Sequence, residues 1–152
     1  MNPRIITNIS EEFNNITIQI NAPKRTEELD ILEKELITYK KTIRKIVGKQ
    51  NNSFFILEID DVISFFSREK NNYCKTKEGE FRIKEQLYYL EEVLPSKNFI
   101  RISNSAIINV KYVRCFNTNT IGKIIVELKD GSTENVSQRK NKDILKFLKN
   151  IY

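Results

Sequence analysis

The sequence of 152 residues predicts a mainly β fold with short helices, preceded by a strand-helix extension. From residue 53 onward, short apolar segments alternate with turn residues, which is the pattern of antiparallel strands. Before residue 53, apolar residues at three- and four-residue spacing predict one longer helix. Apolar residues make up 39% of the chain and charged residues 30%, so the composition is that of a globular protein.

The N-terminal extension, residues 1–52, is predicted to begin with a strand. In "NNITIQINAP" every second residue from 16 to 20 is isoleucine, which is typical of a half-buried strand, and Pro23 ends the segment. The preceding "RIITNI" is a candidate hairpin partner, with "SEEFNN" as the turn between them.

A helix is predicted to follow the strand and to run from Glu27 to about Val47. Thr26 is a suitable N-cap, and Gly48 is a suitable C-terminal stop before a polar linker at residues 48–53. The apolar residues that form one stripe along this helix are Leu29, Leu32, Leu36, Tyr39, Ile43 and Ile46. The stripe is suited to pack either against its own domain or against a second subunit, so a homodimer is one of two expectations.

Residues 53–152 are predicted to form the β domain. The expected strands are "SFFILEI", "DVISFFSR", "NYCKTK", "EFRIK", "FIRIS", "AIINV", "YVRCFN", "KIIVEL" and "STENVS". A tight turn is expected at Glu78-Gly79, and Asp130-Gly131 is expected to form a two-residue hairpin turn. "EQLYYLEEVL" is the helical insert among the strands, and the basic tail "QRKNKDILKFLKNIY" predicts a last helix with one apolar side.

The residue types do not favour an enzyme. The chain contains no histidine, which removes Ser-His-Asp and Cys-His catalysis and the commonest metal ligand. Its four glycines lie too far apart for a phosphate-binding loop, and its two cysteines cannot complete a structural zinc site. We therefore predict no catalytic residue, no metal and no cofactor.

The same residues indicate a cytoplasmic protein. Cys74 and Cys115 lie far apart and lack the spacing of a redox or zinc motif, which suits a reducing compartment. Glu11 and Glu12 occupy positions where a signal peptide would be apolar. No apolar run approaches the roughly 18 residues that a membrane-spanning helix requires.

The net charge of +6 lies almost entirely in the last third of the chain. Residues 99–152 contain ten Lys or Arg and four Asp or Glu. A basic segment of this kind attracts polyanions by neutralising phosphates and releasing their counterions. A solvent-exposed basic helix without a partner is the other interpretation of the charge alone.

A polar step, Ser103-Asn104-Ser105, separates two apolar segments of "FIRISNSAIINVKYV". This stretch, followed by "LKDGSTENVSQRK", resembles the LytTR DNA-binding domain of bacterial transcription regulators. The positions that match the family pattern are Phe99, Arg101, Ser105, Asn109, Gly131, Ser137 and Arg139. The family's usual histidine is replaced by Ser103, and its usual aromatic after the serine is replaced by Ala106.

The upstream segment "DVISFFSREKNNYCKTKEGEFRI" resembles the strand pair of the same family, with Asn72-Tyr73 at the matching step. The resemblance covers about residues 53–150. It implies an elongated β fold that presents loops, rather than a recognition helix, to successive major grooves of double-stranded DNA. The polar step would then be an exposed loop between two core strands.

The resemblance implies DNA contacts from three separate loops, at Tyr73, Asn104 and Arg139. Asn104 is suited to pair with adenine or to act as donor or acceptor at other base edges, and Arg139 is suited to bind guanine or a phosphate. The remaining candidate DNA-binding residues are Asn72, Arg101, Ser103, Ser105, Ser137, Lys140 and Lys142. The serines and lysines are suited to phosphate oxygens, whereas Arg101 could equally be a structural ion-pair partner.

We therefore predict a transcription regulator without a receiver domain. Its expected partners are double-stranded DNA at paired sites, a second copy of the chain, and a regulatory membrane protein, as in short proteins that share this architecture. One rival is a module that binds RNA or single strands, and another is a protein-interaction adaptor that keeps the fold without DNA binding. A redox role for Cys74, which follows Tyr73 directly, is left open by the sequence.

Overall fold

The structure, a computed structural model, describes residues 18–39, 42–120 and 122–151. The chain divides into two compact units, Met1–Ile37 and Thr38–Tyr152, whereas the predicted domain boundary lies between residues 52 and 53. None of the helices within the described residues is long and apolar enough to cross a membrane.

Helix α1 spans Glu27–Tyr39 and begins at the predicted N-cap. The backbone N–H of Leu29 donates to Oγ1 of Thr26 over 3.3 Å, which satisfies one of the N–H groups that a helix start leaves unpaired. Acidic residues fill the first turn, where the helix dipole favours negative charge. In the same segment, Arg25 pairs with Asp30 over 2.6 Å and with Glu33 over 2.9 Å.

The predicted N-terminal strand is not formed by those of its residues that the structure describes. Residues 18–22 have no regular secondary structure, and Ile18 and Ile20 are exposed. An alternating sequence forms a strand only where a neighbouring strand accepts its backbone hydrogen bonds, and none of the described residues does so here. Ile16 and the candidate partner "RIITNI" lie outside the described residues.

The prediction that the helix continues to Val47 is wrong. Residues Lys45–Gln50 instead form strand β1, which pairs antiparallel with β2, Ser53–Glu58. The three- and four-residue spacing of Ile43 and Ile46 suits a helix, but the pairing of β1 with two neighbouring strands is a long-range effect that overrides it. The predicted linker at residues 48–53 is therefore the end of β1 and its hairpin turn.

Gly48 has a different role from the predicted helix stop. It is a buried residue within β1, and a Cβ atom at this position would lie 2.6 Å from Cβ of Phe81 and 2.9 Å from Cδ1 of Leu57. Glycine therefore permits a close approach between the strand and its neighbours. A glycine that follows a helical pattern is a reliable sign of a helix C-cap only where a close contact with a neighbouring strand does not itself require glycine.

The sheets contain every strand predicted from residue 53 onward. One sheet has seven strands in the order β2-β1-β5-β4-β3-β7-β6, and the other has three in the order β10-β9-β8, with antiparallel pairing. Their bounds are Ser64–Arg68 for β3, Asn71–Thr76 for β4, Gly79–Ile83 for β5, Phe99–Ser103 for β6, Ala106–Asn109 for β7, Val113–Thr120 for β8, Lys123–Leu128 for β9 and Thr133–Asn135 for β10. Helix α2, Leu87–Val93, is the predicted insert, and α3 spans Asn141–Ile151.

Two predicted turns differ in detail from those in the structure. The turn between β4 and β5 consists of Lys77 and Glu78, and Gly79 is the first residue of β5. The turn between β9 and β10 spans three residues, 129–131, and its last residue, Gly131, has a φ of +85°. A left-handed glycine at the third position is usual in three-residue hairpin loops.

Among the described residues, the core consists of two apolar clusters on opposite sides of the seven-stranded sheet. The first contains Leu87, Leu90 and Leu94 from α2 and its end, together with sheet residues such as Phe65 and Phe81. The second joins β6 and β7 to the three-stranded sheet and α3, and its members include Ile102, Ile108, Ile124, Val126 and Ile144. Strand β7 is buried at all four positions because it supplies Ile107 to the first cluster and Ile108 to the second.

Asn109 is the buried polar residue at the end of β7, with 1% of its surface exposed. Its Nδ2 donates to the carbonyl oxygen of Val62 over 2.8 Å, and its Oδ1 accepts from the N–H of Lys111 over 3.0 Å. A buried amide of this kind is stable only when both of its ends are paired. These two hydrogen bonds give Asn109 a structural role.

Candidate nucleic-acid interface

Two hairpin turns lie side by side at one end of the seven-stranded sheet. The β6–β7 turn consists of Asn104 and Ser105, and the β3–β4 turn consists of residues 69 and 70. Strands β3 and β7 are neighbours, and the N–H of Ser67 donates to the carbonyl oxygen of Ser105 over 2.9 Å. The polar step of the sequence is thus a tight turn between two core strands, as predicted.

A third segment joins these turns from the C-terminal part of the chain. The N–H of Ser137 donates to the carbonyl oxygen of Ile102 in β6 over 2.8 Å. A 3-10 turn, Gln138–Lys140, follows directly and leads into α3. The structure therefore brings the segment that contains Arg139 next to β6, two residues before Asn104, although 35 positions separate Arg139 from Asn104 in the printed sequence.

Arg101 holds the Asn104 turn from inside the protein. Its side chain is 11% exposed, its Nε donates to the carbonyl oxygen of Ser103, and its Nη2 donates to that of Asn104, each over 2.5 Å. Nη1 contacts Oε2 of Glu91 in α2 at 3.3 Å. The planar guanidinium group is suited to several fixed hydrogen bonds at once, so Arg101 positions the turn.

The two serines of the turn hydrogen-bond to each other. The hydroxyl groups of Ser103 and Ser105 lie 3.2 Å apart, and the N–H of Ser105 donates to Oγ of Ser103 over the same distance. The side chain of Asn104 is exposed and makes no hydrogen bond within the described residues. A fixed backbone therefore presents an amide whose donor and acceptor are both available to a ligand.

Asn72 is in β4 and uses its amide within the protein. Its Oδ1 accepts from the hydroxyl of Ser67 over 2.6 Å, and its Nδ2 donates to the carbonyl oxygen of Glu85 over 2.9 Å and to Oε1 of Gln86 over 3.2 Å. These bonds connect β3, β4 and the segment before α2. They favour a structural role for Asn72.

Tyr73 is half-buried and belongs to an aromatic stack on β3 and β4. Its ring lies 5.5 Å from that of Phe66, with 17° between the ring planes. The guanidinium carbon of Arg68 lies 4.9 Å from the centre of the Tyr73 ring, and Nη2 of Arg68 bonds to Oε2 of Glu80 over 2.8 Å. Tyr73 stands on the strand that follows the β3–β4 turn, two strands from the Asn104 turn.

The basic residues of the C-terminal segment differ in their partners. Arg139 and Lys142 are exposed and have no hydrogen bond or ion pair within the described part of the chain. Lys140 is half-buried, and its Nζ lies 3.3 Å from Oε1 of Glu91 and 3.7 Å from Oδ2 of Asp143. Glu91 therefore contacts Arg101 with one oxygen and Lys140 with the other.

Two residues of this region were not predicted from the sequence. Glu91 connects α2 to the Asn104 turn and to the 3-10 turn, and no local pattern indicates this because Lys140 is 49 positions away. Arg68 stacks on Phe66 and Tyr73 at the end of β3. An arginine at the end of a predicted strand, close to the family position Asn72-Tyr73, is the signal that could have identified Arg68.

Cys74 is expected to be unreactive in the folded protein. The residue is fully buried, and burial raises the pKa of its thiol to about 12. Only the deprotonated thiolate is reactive. With a pKa of about 12, the fraction of thiolate at pH 8 is on the order of one in ten thousand, so Cys74 should react very slowly. A hydrogen bond to the carboxylate of Glu127 also raises the pKa of Cys115, but this second thiol is exposed.

Thiol labelling at pH 8 checks this expectation. We expect one thiol per chain, that of Cys115, to react in the folded protein, and two to react in a denaturant. The Cys115→Ser variant is the matched control and should show no reactive thiol until it unfolds. Rapid labelling of Cys74 in the folded state would contradict the expectation and would restore the redox hypothesis.

The comparison with protein families places the chain in a class of DNA-binding domains. The model of the LytTr DNA-binding domain matches residues 52–149. The chain therefore belongs to the LytTR DNA-binding domain family, which confirms the resemblance. This family consists of DNA-binding domains, not of enzymes.

Similar proteins occur in Staphylococcus aureus. A protein of strain NCTC 8325, described as an uncharacterized HTH-type transcriptional regulator, is 33% identical over 127 residues, which cover 84% of this chain and 85% of that protein. A regulator of the same description from strain MRSA252 is 33% identical over 134 residues, which cover 88% of this chain and 85% of that protein.

A solved structure confirms the fold. It is described as the LytTr DNA-binding domain of a methyl-accepting/DNA response regulator from Bacillus cereus. It matches with a TM-score of 0.67 and 23% identity, covering 70% of this chain and 97% of that domain. The predicted mainly β fold of the LytTR type is thus confirmed.

The fold differs from what the description of the staphylococcal relatives suggests. A helix-turn-helix motif requires two helices joined by a short turn. In the described part of this chain, α2 and α3 are separated by five strands. The exposed candidate residues Asn104 and Arg139 lie in turns, not on the surface of a recognition helix.

Proposed function

We propose that the protein is a sequence-specific transcription regulator that binds double-stranded DNA with the turns at this end of the sheet. The observation that carries the proposal is the Asn104 turn, where an unpaired amide stands on a backbone that Arg101 fixes. Specific recognition needs hydrogen-bonding groups held in place before binding, since ordering them on binding reduces the affinity. As a bacterial DNA-binding protein, it is proposed to act in the cytoplasm.

The side chains divide into those that contact DNA and those that position the contacts. We propose that Asn104 and Arg139 contact base edges in the major groove, and that Lys142 and the hydroxyl of Ser105 contact phosphates. Tyr73 is proposed to contact DNA with the exposed part of its ring. The positioning group consists of Asn72, Arg101, Ser103, Ser137 and Lys140, whose intramolecular contacts support this role.

Replacement of Asn104 by alanine should reduce specificity more than overall affinity. The substitution removes a side chain without intramolecular hydrogen bonds, so the fold should keep its stability, while discrimination between specific and random duplex should fall by about 1–3 kcal/mol. Titration of labelled duplexes at one salt concentration measures both affinities.

Asn52→Ala is the matched control, because Asn52 is exposed in the β1–β2 turn and should not affect binding. Equal losses on specific and random duplex would make Asn104 a contact to the DNA backbone. Unchanged binding to both would remove the residue from the interface.

We further propose that the protein binds paired DNA sites as a homodimer through α1. Leu32 is 42% exposed and Ile37 is 79% exposed, so this helix has apolar surface that a second copy could cover. Two linked domains would bind paired sites with higher avidity than one. Light scattering of the wild type and of a Leu32→Glu, Leu36→Glu variant tests this, and a monomeric wild type at micromolar concentration would contradict it.

Regulation of this protein by a membrane-protein partner stays a prediction.

A further inference from the structure

The β3–β4 turn has a backbone conformation that its residues do not favour. Glu69 has a φ of +51° and Lys70 a φ of +64°, so two consecutive residues with side chains lie in the left-handed region. A two-residue hairpin turn of this kind strongly prefers Asn, Asp or Gly, because a Cβ atom crowds the neighbouring carbonyl oxygen there. Neither Glu69 nor Lys70 is of a preferred type, so the turn is less stable than one with Asn, Asp or Gly at these two positions.

The position of the turn suggests why this conformation is retained. Ser67 bonds to Ser105 across the β3–β7 pair, and Arg68 pairs with Asn71 to close the hairpin. The two turn residues therefore extend beyond the level of the Asn104 turn, at the same end of the sheet. With a rise of about 3.3 Å per residue, they would be among the first groups to meet a duplex bound at Asn104.

Lys70 differs from the other cation of this hairpin. The guanidinium group of Arg68 is occupied by Glu80 and by the rings of Phe66 and Tyr73. The side chain of Lys70 is exposed and has no ion pair or hydrogen bond within the described residues. Its ammonium group is therefore available to an anion from outside the protein.

We propose that Lys70 contacts a phosphate of the DNA backbone and that the left-handed turn serves to project its ammonium group toward the duplex. The inference rests on the proposed function and adds to it a contact that positions the protein without recognising sequence. Residues in strained backbone conformations are concentrated at functional sites, because a gain in function offsets their effect on stability. Glycine at position 70 would relieve the backbone and remove the contact together, so stability and binding should change in opposite directions.

The test is the Lys70→Gly variant of the full chain. We expect its melting temperature to rise by about 2–6 °C, since glycine adopts a positive φ freely. Its affinity for specific and for random duplex should fall by the same factor. The slope of log K against log salt concentration should become shallower by about 0.9, which corresponds to one phosphate contact. Lys70→Arg keeps the charge and should keep the wild-type slope.

Two control variants separate the backbone from the charge. Glu69→Gly relieves the same turn without removing a cation, so it should raise the melting temperature and leave the salt slope unchanged. Lys77→Gly removes an exposed cation from the β4–β5 turn at the opposite end of β4 and should also leave the slope unchanged.

The outcomes distinguish this inference from the proposed function. If the wild type binds duplex specifically and Lys70→Gly keeps the full salt slope, the phosphate contact is wrong and the proposed function stands. If the slope becomes shallower for Lys77→Gly as well, the loss is an effect of net charge and overturns the contact. If the wild type binds no duplex at all, both proposals fail.

Discussion

Replacement of Arg139 by alanine is expected to weaken binding to the specific duplex by about 1–3 kcal/mol, which corresponds to roughly 5- to 150-fold in affinity. The free energy of unfolding should change by less than about 0.5 kcal/mol, because surface substitutions without intramolecular partners have small effects. Arg139 is exposed in the 3-10 turn before α3 and makes no hydrogen bond or ion pair within the residues that the structure describes.

Two further variants test how Arg139 acts. Arg139→Lys keeps the charge but loses the planar fork that bonds to both O6 and N7 of guanine. Compared with Arg139→Ala, it should therefore recover affinity for random duplex but not the preference for the specific duplex. Lys77→Ala removes one positive charge at the opposite end of β4 and should bind like the wild type. Normal binding by Arg139→Ala, or its unfolding, would contradict the assigned role.

Replacement of Arg101 by methionine should reduce both stability and DNA specificity. The substitution removes two charge-assisted hydrogen bonds to the carbonyl oxygens of Ser103 and Asn104 and the contact with Glu91. We expect the free energy of unfolding to fall by about 2–3 kcal/mol, since bonds to charged groups contribute about 1.5–3 kcal/mol each and the turn stays partly solvated. Without these bonds the Asn104 amide is no longer fixed, so discrimination should also be lost.

The Arg101 experiment resolves an alternative that the sequence leaves open. Chemical denaturation measures stability, and binding to specific and random duplex measures recognition. If Arg101→Met keeps wild-type stability and loses only affinity, Arg101 contacts DNA directly and the positioning role is wrong. Glu91→Gln is the matched variant, because it removes the carboxylate that holds Arg101 and Lys140 while both bonds to the turn remain.

The strands after residue 53 could be predicted because their signals are local. Alternation of apolar residues and the turn residues between them are properties of short segments, and they locate β2 to β10. Strand β1 could not be predicted in this way. The spacing of Ile43 and Ile46 suits a helix, and the pairing of β1 with Ser53–Glu58 and with β5 overrides it. The tight contact between Gly48 and Phe81 is likewise a long-range feature.

The candidate site was only partly accessible to sequence analysis. The polar step between two apolar strands identifies the Asn104 turn, because a buried strand excludes three consecutive polar residues. The intramolecular contacts of Asn72 and Arg101 could not be predicted, since their partners Gln86 and Glu91 lie on a different element. Whether a polar side chain is available to a ligand depends on such partners, and those are known only from the fold.

Sequence-specific recognition of duplex DNA can be measured by selecting bound sequences from a random pool of duplex DNA, with a single-stranded pool of the same sequences as competitor. We expect the wild type to enrich a defined duplex motif, single strands to compete poorly, and Asn104→Ala to abolish the enrichment while keeping salt-sensitive binding. Recovery of an unenriched pool, or a preference for single strands, would contradict specific duplex recognition by the turns around Asn104 and Arg139.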